Sequence, residues 1–117
     1  MSCGCGCEGQ GEYVWGGTGL KFAVSMTCEG FSMDEDDWTI TVVRGNKSIE
    51  FNPSNAVHET VPTPEGDVSQ WYICVETSEL GPGEMSIIFD ASVPDDDFES
   101  GVRHEIQKYK LVNIKSL

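Results

Sequence analysis

The chain has 117 residues, which is enough for one domain with a modest two-layer core and excludes a second domain. Its 20 acidic and 7 basic residues give a formal net charge of −13, which opposes binding to a phosphate backbone, so we expect no nucleic-acid partner. No segment combines a basic region with an apolar run or approaches the length of a membrane span, so we expect no membrane partner and assembly in a cytoplasm.

The first 19 residues are rich in glycine, and glycine at this density raises the conformational entropy that is lost on ordering. The pattern predicts a flexible N-terminal docking arm (1–19) in front of a β-sandwich domain (20–117). Large aromatic residues are common anchors in docking segments. We therefore expect five residues of the arm to bind a partner, the alternative being a terminus that binds nothing. They are Cys3, Cys5, Cys7, Tyr13 and Trp15.

The three cysteines of the arm alternate with glycine, which places their sulfur atoms on one side of an extended backbone. Thiolates in this arrangement suit zinc or cluster iron, but a closed tetrahedral site needs four ligands. We expect no metal and no other cofactor, with intermolecular crosslinks and free thiols as the remaining alternatives. Cys28 and Cys74 fall in alternating apolar runs, so we expect both to be buried free thiols.

Seven segments show the period-two alternation of half-buried strands, the fourth of them weakly. They lie near residues 20–27, 38–43, 48–51, 56–61, 71–75, 85–93 and 102–114. Gly45 and Asn46 suit the turn of a hairpin between the second and third segments. Residues 62–67 are predicted to form a loop, because Pro62 and Pro64 keep this stretch out of a central ladder. No window shows helical periodicity. The pattern predicts an all-β protein, an antiparallel β-sandwich of immunoglobulin-like or Greek-key type with about seven strands.

Two further features bear on chemistry. Asp95, Asp97 and Glu99 alternate in the manner of a calcium loop, but the following glycine and glutamate do not fall at EF-hand positions, so a solvated acidic loop is favoured.

His58 and His104 are predicted to be surface residues of strands. No nucleophile turn accompanies them, so we expect no catalytic residue and no enzymatic activity.

Basic residues concentrate at the C-terminal end of the chain. Between residues 101 and 117 lie Arg103, Lys108, Lys110 and Lys115 against a single acid, Glu105. Such an uneven charge distribution can orient two copies or two partners against each other by electrostatic steering. The alternative interpretation of these lysines is that they protect a solvated edge strand. We expect a homodimer or a higher homo-oligomer.

Three stretches together carry a resemblance: Trp-Thr-Ile-Thr-Val-Val-Arg-Gly at 38–45, Leu-Gly-Pro-Gly-Glu-Met at 80–85 and Val-Pro-Asp-Asp-Asp-Phe-Glu-Ser-Gly-Val-Arg at 93–103. Their layout is similar to small β-sandwich virion proteins of tailed phages that infect gut Bacteroidales, the crAss-like phages among them. It is more loosely similar to the N-terminal module of phage upper-baseplate proteins. The resemblance rests on turn and loop patterns and carries over no catalytic residue.

The resemblance implies a non-enzymatic structural protein located in the virion, of head-fibre, capsid-decorating or baseplate-adaptor type. Its partners would then be phage capsid or fibre proteins. The short arm and the lack of a receptor-binding domain depart from long fibre proteins. The chief alternative function is a carbohydrate- or calcium-binding sandwich module that uses Trp38, Trp71 or the acidic loops at 34–37 and 95–99. A third possible function is a metallothiol protein that uses the N-terminal cysteines.

Overall fold

A computed structural model describes the backbone of residues 3–7 and 13–117, and the side chains of residues 13–117. This part of the chain forms nine strands and one short 3₁₀ helix at Thr77–Glu79. The strands are β1 (Cys3–Cys7), β2 (Tyr13–Trp15), β3 (Gly19–Cys28), β4 (Trp38–Arg44), β5 (Lys47–Phe51), β6 (Val57–Thr63), β7 (Gly66–Glu76), β8 (Gly83–Pro94) and β9 (Val102–Lys115). Within these residues no helix is long and apolar enough to cross a membrane.

The strands form two sheets that pack face to face. One sheet has the order β1-β3-β7-β6 and the other the order β2-β9-β8-β4-β5. The described pairs are antiparallel apart from β2 with β9, which is parallel. The prediction of an all-β antiparallel sandwich is confirmed. The seven predicted strands correspond to β3–β9. The loop predicted at 62–67 is shorter than expected, because Pro62 pairs with Asp67 and Thr63 with Gly66 in the hairpin of β6 and β7. The strand that contains Pro62, β6, lies at the edge of its sheet, where a proline is tolerated.

The core lies between the two sheets because each strand turns every second side chain inward. In β8 the buried positions run from Met85 to Val93 in strict alternation. The two sheets meet at Trp38 on β4 and Trp71 on β7, whose rings pack edge to face with centroids 5.2 Å apart. Aromatic pairs prefer this arrangement, which adds to the free energy gained by burying both rings.

The strands β1 and β2 lie within the segment predicted as an arm, and the sequence pattern did not indicate them. β1 pairs with β3, with Cys3 opposite Cys28, and β2 pairs with β9, with Trp15 opposite Lys115. Both are edge strands that join their sheets through the backbone, so no apolar alternation was needed to form them. The predicted boundary between 1–19 and 20–117 remains a prediction.

The two cysteines outside the arm differ from expectation. Cys28 is half-buried and disulfide-bonded, whereas Cys74 is a free but exposed thiol. The prediction of two buried free thiols is therefore wrong. Cys74 lies between the inward-facing residues Ile73 and Val75, so it points to solvent. The bond at Cys28 was not foreseen because the sequence does not show that a cysteine-rich strand runs beside β3.

Candidate functional site

An exposed aromatic pair lies on the edge strand β2. Tyr13 and Trp15 point outward and are 42% and 47% exposed, whereas Val14 between them packs on the core. The two rings contact each other edge-on with centroids 5.5 Å apart, and Nζ of Lys115 lies 4.0 Å from the centroid of the Tyr13 ring. The structure thus holds both predicted aromatic anchors together at the surface.

The turn after β2 fixes these aromatic residues to the rest of the protein. The N–H of Gly16 donates to the carbonyl of Lys115 at 2.7 Å. The N–H of Gly17, which has a φ of +94°, donates to the hydroxyl of the fully buried Thr77 at 3.0 Å. Glycine adopts this left-handed conformation without strain. The backbone that carries Tyr13 and Trp15 is therefore held by hydrogen bonds to two distant segments.

Lysines extend the aromatic pair along β9. Lys108 and Lys110 lie opposite Ile88 and Ser86 of β8, on the side of the sheet that faces away from the core. We call the set of Tyr13, Trp15, Lys108, Lys110 and Lys115 the β2–β9 face. Aromatic and cationic side chains thus share one surface of a protein whose formal net charge is −13. Such a surface suits an acidic partner that also offers apolar pockets.

A second candidate site is a groove of about 310 Å³ between β3 and β7. The ladder between these strands ends at the pair Val24 and Trp71, although β3 continues to Cys28 and β7 begins at Gly66. Beyond that pair, β3 is joined to β1 on its other edge, and β7 is joined to β6. The described strands therefore diverge and leave a gap within the sheet.

A polar cluster bridges the gap. The Asp34 carboxylate, on the loop after β3, accepts hydrogen bonds at Oδ1 from the Ser69 hydroxyl at 2.6 Å and from the Trp71 indole N–H at 2.9 Å. The His58 ring stacks on Trp71 with centroids 4.3 Å apart. The bonds from Ser69 and Trp71 lower the pKa of Asp34, assisted by the charge of the neighbouring His58 and opposed by partial desolvation.

The cluster brings a serine, a histidine and an aspartate together, which the sequence did not foresee, but its geometry differs from a catalytic relay. Ser69 donates its proton to Asp34, and Nε2 of His58 faces both the Ser69 hydroxyl at 2.5 Å and Asp34 Oδ1 at 3.4 Å. In a relay the histidine accepts the serine proton at one ring nitrogen and bonds the carboxylate through the other. The arrangement here tethers the loop to β7.

The other histidine pairs separately: Nδ1 of His104 lies 2.8 Å from Asp90 Oδ1 on the adjacent strand. Both histidines lie on strands and have exposed side chains, as the sequence predicted. The pairing of β6 with β7 places His58 opposite Trp71, and a hairpin with its turn at Pro64 and Glu65 could have indicated it. No sequence signal connects Asp34 with Ser69, because they are 35 residues apart.

The residues proposed for sugar or calcium binding have other partners. Trp38 and Trp71 are only 2% and 8% exposed, so neither offers a free ring face for stacking on a sugar. The Asp95 carboxylate accepts from Nη1 of Arg103 at 3.0 Å and from the N–H of Asp97 at 3.0 Å. The Arg103 guanidinium also donates from Nε to Glu105 at 2.8 Å. Asp95 is thus held by an internal cation.

The cysteines of the arm are placed only as backbone. Cys3, Cys5 and Cys7 belong to β1, and their side chains lie outside the described residues, so their predicted binding role remains a prediction. Among residues whose side chains are described, no three His, Cys, Asp or Glu side chains are arranged to hold a metal ion.

Comparison with known proteins returned no significant match to a protein-family model, a curated protein or a solved structure. The resemblance to phage virion proteins therefore remains a prediction. The function has to be argued from the surfaces of the chain itself.

Proposed function

We propose that the protein is a non-enzymatic assembly protein that docks onto a partner protein through its β2–β9 face. The observation that carries the proposal is the exposed Tyr13 and Trp15 pair, held in place by ring contact, by Lys115 and by the hydrogen bonds of the following turn. Aromatic residues that are already ordered lose little conformational entropy on binding, so they make effective anchors.

The lysines of the face favour an acidic partner surface. Lys108 and Lys110 lie further along β9, on the same side of the sheet as the aromatic pair, and Lys110 is only loosely paired with Glu84, at 3.5 Å. Complementary charge speeds encounter and fixes orientation more than it adds affinity. The resemblance to phage β-sandwich proteins supplies the setting, in which the partner is a capsid or fibre protein and this chain is a structural component of the virion.

The test is incorporation into particles assembled without this protein. We expect wild-type protein to join the particles and the double variant Tyr13→Ala, Trp15→Ala to remain unbound, because losing a central aromatic anchor often costs about 2 kcal/mol or more of binding free energy. Phe98→Ala is the matched control, since Phe98 is 48% exposed but lies in the acidic loop. Unchanged circular dichroism of the double variant would show that its fold is intact.

Incorporation of the folded double variant at the wild-type level would overturn the proposal. Light scattering of the isolated protein distinguishes docking on a partner protein from self-association of this chain. A dimer that dissociates on substituting Tyr13 and Trp15 would show that the face joins two copies of this chain instead, which also contradicts docking on a particle protein. A salt-sensitive association rate that falls in Lys108→Gln, Lys110→Gln would support the acidic character of the partner.

A further inference from the structure

The gap between β3 and β7 presents strand edges with which no described strand pairs. On the side facing β7, β3 has ladder partners only as far as Val24, and the first half of β7 is joined to β6 alone among the described strands. Strand edges are templates for pairing with another extended segment, because their N–H and C=O groups lie in a row.

One backbone group in the gap has a weak internal partner. The Met26 N–H donates to the thioether sulfur of Met33 at 3.3 Å, and both residues line the groove. Sulfur of this kind is a weak hydrogen-bond acceptor. A peptide carbonyl would be a stronger acceptor for the same N–H, so an incoming strand gains a bond there without breaking a strong one.

The side chains of the groove suit a short extended peptide. Val24, Met26 and Trp71 form apolar walls, and Val68, at 47% exposure, extends them outward. Asp34 is the one charged side chain among the described residues that line the groove, and its side chain remains 44% exposed. A volume of about 310 Å³ lies at the small end of ligand sites, which limits the ligand to a few residues.

We propose that the groove between β3 and β7 binds an extended peptide segment that carries a lysine or arginine, with the peptide backbone pairing to the strand edges and its cation beside Asp34. Main-chain hydrogen bonds would supply affinity, and the carboxylate would select the side chain, which is the general logic of strand addition. The site is separate from the β2–β9 face, so it does not depend on the proposed docking function.

The probe is the capped pentapeptide Thr-Val-Lys-Val-Thr, titrated into ¹⁵N-labelled protein and followed by NMR. We expect shifts in the amides of residues 25–27 and 68–70 and in the indole N–H of Trp71. The same peptide with norleucine in place of lysine should bind about fivefold more weakly, as expected for a partly exposed ion pair. A peptide N-methylated at the lysine should lose binding because it cannot complete the backbone pairing.

Variants of the protein test the role of the carboxylate. Asp34→Asn keeps an acceptor for Ser69 and Trp71 but loses the charge, so it should bind the lysine and norleucine peptides equally. Asp96→Asn changes the net charge by the same amount in an exposed loop and should retain the fivefold preference. Tyr13→Ala, Trp15→Ala should bind the peptide normally, which separates this site from the docking face.

Three results of the peptide titrations would overturn the inference: no shifts at the groove with any peptide, equal binding of the lysine and norleucine peptides by wild-type protein, or full binding of the N-methylated peptide. If Asp34→Asn fails to fold, the comparison of the three peptides on wild-type protein still decides the question. Groove shifts that depend on protein concentration without peptide would assign the groove to a second copy and overturn the peptide assignment.

Discussion

The hydroxyl of Thr77 donates to the carbonyl of Thr18 at 2.8 Å while it accepts the N–H of Gly17 at 3.0 Å. Thr77 is fully buried, so this one side chain satisfies two backbone groups of the turn that carries the β2 strand. The N–H of Thr77 also donates to the Thr18 carbonyl, at 3.3 Å. The position of the aromatic pair at Tyr13 and Trp15 is thus linked to a residue that lies 60 positions after Gly17 in the sequence.

The Thr77→Val variant tests this link. Valine keeps the shape but removes the hydroxyl, which leaves the Gly17 N–H without its acceptor, so we expect a loss of about 1–3 kcal/mol in the free energy of unfolding. Urea denaturation measures the loss, and Thr60→Val, at an exposed position of β6, is the control. Equal stability of the two variants would show that water replaces the hydroxyl and that the turn does not depend on it.

The disulfide at Cys28 predicts a response to reducing agents. Breaking a disulfide frees the unfolded chain and typically costs about 2–4 kcal/mol, so dithiothreitol should lower the melting temperature of the oxidised wild type. The Cys28→Ser variant should melt lower from the start and respond little to the reagent. Cys74→Ser, which removes the free exposed thiol, should behave as wild type.

Peptide mapping by mass spectrometry would identify the cysteine that is bonded to Cys28. The backbone register places Cys3 opposite it, so β1 is the strand to examine. A Cys28 that reacts with iodoacetamide in the unreduced, denatured protein would contradict the bond.

The sequence was sufficient for the strands that bury side chains. The alternation from Met85 to Val93 identified β8 because its inward positions are all apolar, and the turn at Gly45 identified the β4–β5 hairpin. It was insufficient for β1, whose alternating glycine and cysteine carry no apolar pattern, and for β7 before Trp71, where both faces are exposed. These strands form through backbone hydrogen bonds to their neighbours, and the amino-acid composition does not indicate where such bonds form.

The candidate sites were predictable to different degrees. Tyr13 and Trp15 stood out because large aromatic residues in a glycine-rich segment are conspicuous, although the sequence did not show that they lie on β2. The groove was invisible, since it arises where β3 and β7 diverge and is bridged by Asp34 from a loop. An acidic run at residues 34–37 predicts a solvated loop, and only the fold shows that its first residue reaches Trp71.

The lowered pKa of Asp34 predicts how its contribution to stability changes with pH. Because its pKa is lower in the folded than in the unfolded protein, where it is about 3.9, the ionised carboxylate stabilises the fold fully above that value. The contribution is lost as the pH falls through the folded pKa. The difference in unfolding free energy between wild type and Asp34→Asn should therefore shrink in urea titrations as the pH is lowered from 6 to 2.5.

Asp96→Asn is again the matched control, because Asp96 lies exposed in another loop. Its difference from wild type should stay small across the same range. A wild-type advantage over Asp34→Asn that grew as the pH fell would show that the Ser69 and Trp71 bonds do not favour the ionised carboxylate.

The internal cation at Asp95 predicts that calcium has little effect on stability. Arg103 already pairs with the Asp95 carboxylate at 3.0 Å. A calcium ion that displaced it would leave a guanidinium that is only 19% exposed without this acid partner. Millimolar calcium should therefore shift the melting temperature by less than about 1 °C. A calcium ion that did bind, at a hundred times its Kd, would instead stabilise the fold by about 2.7 kcal/mol. A clear rise that Asp97→Ala abolishes would restore the calcium-binding alternative.

The tryptophans of the core and of the surface differ in solvent exposure. Trp71 is 8% exposed, contacts Trp38 and His58, and donates to Asp34, whereas Trp15 is 47% exposed. Truncating a buried aromatic side chain leaves a cavity and typically costs about 3–5 kcal/mol, so Trp71→Ala should be strongly destabilised or unfolded. Trp15→Ala should lose less than about 1 kcal/mol, because most surface substitutions have small effects.

Trp71→Phe keeps the measurement informative if the alanine variant does not fold. Phenylalanine retains much of the apolar contact with Trp38 but cannot donate to Asp34, so its cost should lie between those of the other two variants. Alanine at position 34 removes the acceptor of the Trp71 indole. Adding Asp34→Ala to Trp71→Phe should then cost less than Asp34→Ala costs in the wild type, because the two residues share one hydrogen bond. If the costs of the two substitutions simply add, the Trp71 indole does not stabilise the loop through Asp34, and the loop is held by the other contacts of Asp34, with Ser69 and His58.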